Sequence, residues 1–101
     1  MSQIKKLYYA LEEALTDYDL NSSTAKTGRN KQVKADAKGI CEDAIIKARN
    51  LIFQNEELFT IWDKTFPPSN PFARENFFAH KGFSSDMHEY LNNLKKEHSI
   101  Y

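Results

Sequence analysis

The fold is decided by residues 31–54, KQVKADAKGICEDAIIKARNLIFQ, the longest periodic stretch of the chain. Apolar side chains recur in it at steps of three and four, the spacing of one face of a 3.6-residue helix. The segment therefore predicts one long central helix, helix 2, over residues 31–54. Its apolar positions are Val33, Ala37, Ile40, Cys41, Ala44, Ile45, Ala48, Leu51 and Ile52.

Three of the apolar positions in helix 2 are alanines, Ala37, Ala44 and Ala48. Small side chains let a second helix axis approach closely. The neighbour is either the first helix or a copy of helix 2, so a homodimer through helix 2 is one expectation. Gly39 costs about 0.5–1 kcal/mol against alanine inside a helix, and it either permits close packing or interrupts the helix.

The segment before helix 2 predicts a first helix followed by a long connection. Its apolar positions again fall three and four apart, and they are Ile4, Leu7, Tyr8, Leu11, Leu15 and Tyr18. The polar run 19–24 is expected to end this helix, because short polar side chains compete for backbone hydrogen bonds. A connection of about ten residues, reaching Asn30, is longer than the usual link between helices.

The segments after helix 2 predict shorter helices. Residues 56–66 form a third helix with Glu56 and Glu57 in its first turn, and Pro67 stops it. Residues 72–80 read as a short helix or an irregular turn. Ser84–Asp86 provides a helix start for a last helix that uses Met87, Tyr90, Leu91 and Leu94. The fold class is all-α, an irregular bundle of four or five helices in a single domain over residues 1–101.

Composition supports this class and excludes several functions. A single valine against nine alanines and eight leucines favours helices over sheets. The 14 basic and 14 acidic residues cancel to a net charge of zero, which excludes an acidic DNA mimic and any bulk attraction to nucleic acid. No apolar run approaches a membrane span, and a single cysteine, Cys41, allows no internal disulfide. We therefore expect a small cytoplasmic protein.

Charge is nevertheless segregated along the chain. Residues 24–38 carry five cations against Asp36 alone, a net charge of +4. We name these cations the basic stripe: Lys26, Arg29, Lys31, Lys34 and Lys38. Cations near a helix N-terminus face the positive end of its dipole, so an acidic protein surface or a phosphate backbone would compensate them. The alternative interpretation is a solvated helix face that keeps the protein soluble.

Aromatic residues are segregated as well. All seven phenylalanines and the only tryptophan fall between Phe53 and Phe83, and all five tyrosines lie outside that window. One interpretation places them in the core, which short helices need in order to bury enough apolar surface. The other makes some of them exposed anchors for a protein partner or for stacked bases. The candidate anchors are Phe72, Phe77, Phe78 and Phe83.

Residues 74–83, RENFFAHKGF, carry the remaining motif. Arg74, six residues before His80, resembles the arginine and histidine signature of HEPN-domain ribonucleases, which are small and all-helical. The resemblance covers about ten residues, with five residues between the pair where four are usual. It implies metal-independent RNA cleavage in a dimer, with His80 in acid–base catalysis and Arg74 stabilising phosphate charge.

No other catalytic, metal or cofactor site is expected. His80, His88, His98 and Cys41 lack ligand spacing for zinc, and no phosphate-binding loop or dinucleotide fingerprint occurs. The leading hypothesis is a protein-binding inhibitor, adaptor or regulator, of the kind found in bacterial or phage systems. A HEPN-like ribonuclease using Arg74 and His80 is the alternative. Nucleic-acid binding through the basic stripe is the third hypothesis.

Overall fold

The computed structural model describes residues 3–66 and 82–100, and they form four α-helices. The helices are α1 (Gln3–Thr27), α2 (Lys31–Phe53), α3 (Glu56–Thr65) and α4 (Phe83–Glu97). The all-α class and the helical bundle are confirmed, and α2 lies where helix 2 is predicted. The element predicted for residues 72–80 lies outside the described residues.

The predicted ten-residue connection between the first two helices is wrong. Helix α1 continues to Thr27, so only residues 28–30 separate it from α2. Its polar side chains bond to carbonyl oxygens of the preceding turn instead of breaking the helix. The Asn21 amide donates to Asp17 at 2.8 Å, and the Thr27 hydroxyl donates to Ser23 at 2.9 Å. The Asn30 side chain then begins α2 by accepting a 2.9 Å hydrogen bond from the Val33 amide.

Helices α1 and α2 form an antiparallel hairpin around a shared apolar face. The Cys41 thiol lies 3.7 Å from the carbonyl oxygen of Tyr18. Ala37, Ala44 and Ala48 are all buried inside the protomer. Of the two neighbours proposed for the alanines, the first helix is therefore the one observed, and the alanine face is not available to a second copy.

The other two helices close one end of this hairpin. Helix α3 begins at Asn55, whose side chain accepts a 3.0 Å hydrogen bond from the Leu58 amide. Helix α4 packs against both α1 and α3. It begins at Phe83 after Gly82, one residue before the predicted helix start at Ser84. Tyr18 and Phe83 bring their ring centroids to 4.8 Å, which joins α4 to α1.

The core uses most of the described aromatic residues of the Phe/Trp block. Trp62, Phe66 and Phe83 are buried, Phe59 is half-buried, and Phe53 is 44% exposed. Met87 and Tyr90 are fully buried, as their spacing predicts. Across the described ranges, no helix is both long enough and apolar enough to cross a membrane.

Candidate functional site

The far end of the α1–α2 hairpin projects beyond the core. No residue from Asp19 to Asp36 is buried, although α1 and α2 run through most of this range. We name residues 19–36 the hairpin tip. Helix α4 contacts α1 through Phe83 on Tyr18, and beyond that contact the described residues leave a groove between α1 and α2.

This open part of the groove has a volume of about 270 Å³. We name it the tip groove, and it is lined by Tyr18, Ser22, Ala25, Lys26 and Lys38. Tyr18, Ser22 and Lys26 are four residues apart on α1, so they share one helix face. Lys38 comes from α2. The described residues that line it therefore carry ammonium and hydroxyl groups on a mostly apolar surface, and none of them has a carboxylate.

The tip groove unites two of the five residues of the basic stripe. Lys26 and Lys38 line it from facing helices. Lys31, Lys34 and Lys38 share a face of α2, as predicted from their spacing. The side chains of Val33 and Lys34 lie over Gly28, where an added Cβ would sit 3.1 Å from each. Arg29 and Lys31 are exposed on the hairpin tip.

The charge of the basic stripe is not compensated within the described part of the chain. None of its five cations forms an ion pair with a residue in 3–66 or 82–100. Asp36, the only acid nearby in sequence, accepts a 2.8 Å hydrogen bond from the neutral amide of Gln32. The first turn of α2 contains no acidic residue. Lys31 and Lys34 therefore face the positive end of the α2 dipole with no ion-pair partner among the described residues.

Other basic clefts have a structural explanation. The cleft beside the end of α4, about 390 Å³, is lined by Asn92, Lys95, Lys96, Ser99 and Ile100. Lys95 and Lys96 lie in the last turn of α4, where the dipole favours positive charge. The dipole likewise favours the negative charges of Glu56 and Glu57 at the start of α3. Helix α2 departs from this preference at Lys31 and Lys34, and α1 departs from it at Lys5 and Lys6. Lys26 lies in the last turn of α1, where the dipole favours its charge.

Tyr18 forms a neutral wall of the tip groove. Burial raises the pKa of its phenol, with smaller electrostatic contributions in the same direction from Cys41 and Asp19. It therefore keeps its proton at neutral pH. The described residues that line the groove offer hydrogen-bond donors, so its geometry suits binding of an anion.

Asp19, Ser84 and His88 form a second polar cluster, beside the tip groove. The Ser84 hydroxyl donates a 2.6 Å hydrogen bond to Asp19 Oδ1, and His88 Nε2 lies 3.2 Å from Asp19 Oδ2. In a catalytic triad the imidazole lies between the serine and the acid. Here the carboxylate lies between the other two groups, so the serine is not activated. The cluster ties α4 to α1.

Of the remaining predicted site residues, the structure corrects one, and the others lie outside the described residues. Phe83 is fully buried, so the prediction that it is an exposed anchor is wrong. It packs on Tyr18 because α4 lies against α1. Phe72, Phe77 and Phe78 lie outside the described residues, as do Arg74 and His80 of the HEPN-like motif. No group of three potential metal ligands occurs within the described ranges.

Sequence reasoning missed Tyr18 and Ser22 as groove residues. Their spacing of four with Lys26 predicts one shared helix face, but only if α1 continues past Asp19.

Comparison of the chain with protein-family models, curated proteins and solved structures found no significant match.

Proposed function

We propose that this protein is a binding protein whose tip groove and basic stripe hold an acidic segment of a partner protein. It would act in that way as an inhibitor, adaptor or regulator. The observation that carries the proposal is the pairing of Lys26 and Lys38 across a groove that no described carboxylate lines. A bound acidic side chain would supply the negative charge that the described lining of the tip groove lacks.

The shape of the tip groove favours a protein segment over a nucleic acid. Ala25, Tyr18 and two lysines line it with a mostly apolar surface, which suits an apolar side chain next to an acidic one. Non-specific binding to a phosphate backbone depends on several phosphate contacts and gains from net positive charge. The whole chain has a net charge of zero.

The test is titration of isotopically labelled protein with an acidic peptide that alternates glutamate and leucine, followed by NMR. We expect shifts for amides within residues 18–38. Lys26→Glu with Lys38→Glu should weaken binding by about tenfold or more, as expected for charge pairs that lose about 1.4 kcal/mol. The matched control is Lys95→Glu with Lys96→Glu, which makes the same charge change at the end of α4 and should leave binding unchanged.

Two results would overturn the proposal. One is peptide binding that maps away from the hairpin tip or survives the Lys26 and Lys38 reversals. The other is binding of a single-stranded oligonucleotide in preference to the peptide, with affinity that falls steeply as salt is added. That second result would support the nucleic-acid hypothesis instead.

A further inference from the structure

The outer face of α2 carries a regular stripe of residues, none of which is buried in the protomer. Its members are spaced four, three, four, three and four residues apart, the pattern of the seam between two packed helices. We name it the outer stripe: Ala35, Gly39, Glu42, Ile46, Arg49 and Phe53. Ile46 is 52% exposed and Phe53 is 44% exposed, although the Phe53 ring also contacts Phe59 and Trp62.

Gly39 is the unusual member of the outer stripe. A Cβ added to it would meet no atom of the described residues within 4 Å, so no contact among them requires a glycine there. Glycine in a helix interior is nevertheless unfavourable relative to alanine. A glycine on an outward helix face leaves a shallow site into which a large side chain from another helix can pack.

We propose that the outer stripe packs antiparallel against the outer stripe of a second copy, with the twofold axis at Ile46. In that arrangement, each residue of one copy faces a residue of the other copy, and the two residue numbers add to about 92. The partner's Phe53 then lies over Gly39, and Ile46 meets the partner's Ile46. Glu42 lies beside the partner's Arg49, and the same two contacts repeat on the other side of the axis.

The charges and the side-chain sizes along the outer stripe both favour a second copy as the occupant. They also favour the antiparallel orientation of the two copies. A parallel pair would place Glu42 against Glu42 and Arg49 against Arg49, which repel. It would also leave the shallow sites at Gly39 facing each other and unfilled. Neither Glu42 nor Arg49 forms an ion pair with a described residue of its own protomer. The stripe therefore complements itself in one orientation only.

This dimer would place the two hairpin tips at opposite ends. The two copies of Lys34 would be separated by about 36 Å along the helix axes, from a rise of about 1.5 Å per residue. Such a protein could engage two acidic segments at once, and tethering would strengthen the overall binding. The dimer itself does not depend on the proposed function, and its test requires no partner.

The first test is the molar mass of the protein by sedimentation velocity over about 1 to 200 µM, the range in which mass action reveals a modest dimer. We expect a shift from monomer to dimer across the series. Ile46→Glu should remain a monomer throughout. The matched control is Ile40→Glu, because Ile40 is 42% exposed on the same helix but lies off the outer stripe, and this variant should dimerise normally. Circular dichroism checks that both variants are folded.

The second test fixes the register. Ile46→Cys lies on the predicted axis and should give a disulfide-linked dimer on mild oxidation, whereas Ile40→Cys should not. Glu42→Arg should weaken the dimer about tenfold, and Glu42→Arg with Arg49→Glu should restore it. The proposal is overturned if the wild-type protein stays monomeric to the highest concentration. It is also overturned if Ile40→Glu and Ile46→Glu disrupt association equally, or if the double charge swap fails to restore it.

Discussion

The hydroxyl of Tyr90 donates a 2.7 Å hydrogen bond to the main-chain carbonyl oxygen of Leu58, and both residues are fully buried. This bond joins the middle of α4 to the first turn of α3. A buried polar group that loses its partner keeps its desolvation cost, so the contact has a larger effect when it is broken than its net strength suggests. The loss of stability when this bond is removed measures how much it contributes to holding α3 and α4 together.

Replacement of Tyr90 tests this contact. Tyr90→Phe keeps the ring and removes the donor, and we expect the free energy of unfolding to fall by about 1–2 kcal/mol. Urea unfolding followed by circular dichroism measures the change. Tyr9→Phe is the control, since Tyr9 is 46% exposed, and its effect should stay within about 0.5 kcal/mol. Equal effects of the two substitutions would show that the bond contributes nothing specific.

Stability should fall at alkaline pH. Burial raises the pKa of Tyr90 above its ordinary value of 10.0, so the folded protein holds the phenol proton more tightly than the unfolded chain does. The stabilisation is therefore complete below about pH 10 and is lost as the pH rises above that value. Unfolding midpoints in urea from about pH 8 to about pH 11 should show this decline. Tyr90→Phe should have a shallower decline, and an unchanged slope in that variant would contradict the assignment.

The Cys41 thiol should be chemically silent in the folded protein. It is fully buried, and burial raises its pKa, with smaller contributions in the same direction from Asp19 and Glu42. Because the thiolate is the reactive species, a thiol reagent should label native protein slowly and urea-unfolded protein rapidly. Ser85→Cys, at an exposed position of α4, supplies the fast control. Labelling of native Cys41 at the control rate would contradict its buried position.

The glycines at positions 28 and 39 should respond oppositely to alanine. A Cβ on Gly28 would lie 2.7 Å from the Thr24 carbonyl oxygen, so Gly28→Ala forces the backbone to shift and should cost about 1–3 kcal/mol. A Cβ on Gly39 meets open space, and Gly39→Ala should stabilise the monomer by about 0.5–1 kcal/mol. Thermal unfolding at low protein concentration measures both. A destabilised Gly39→Ala monomer would contradict the open environment.

Much of the fold is predictable because it rests on local patterns. The steps of three and four in residues 31–54 are sufficient to place α2, and Pro67 correctly signals that α3 has ended near Phe66. The end of α1 is not predictable in this way. Asn21 and Thr27 can either interrupt a helix or bond back to its preceding turn, and the two outcomes differ little in local energy.

Part of the candidate site can likewise be predicted from the sequence, and part of it cannot. The basic stripe follows from the order of residues alone, and Lys31, Lys34 and Lys38 share a face once α2 forms. The tip groove does not follow, because it forms only where the continued α1 brings Tyr18 and Ser22 beside Lys38 of α2. Phe83 shows the same dependence, since its burial is caused by α1 and not by its own neighbours in sequence.

The sequence by itself determined that this protein is helical, that its charge is segregated and that α2 carries an apolar face with small residues. Helical periodicity and charge order are properties of neighbouring residues, so they are present before the chain folds. Only the tertiary structure decided which face of each helix packs against another helix. Helix α1 covers the alanine face of α2 because the three-residue connection holds the two helices together. The face with Gly39 and Ile46 is left outside for that reason, and the tip groove is left open because no described helix extends over it.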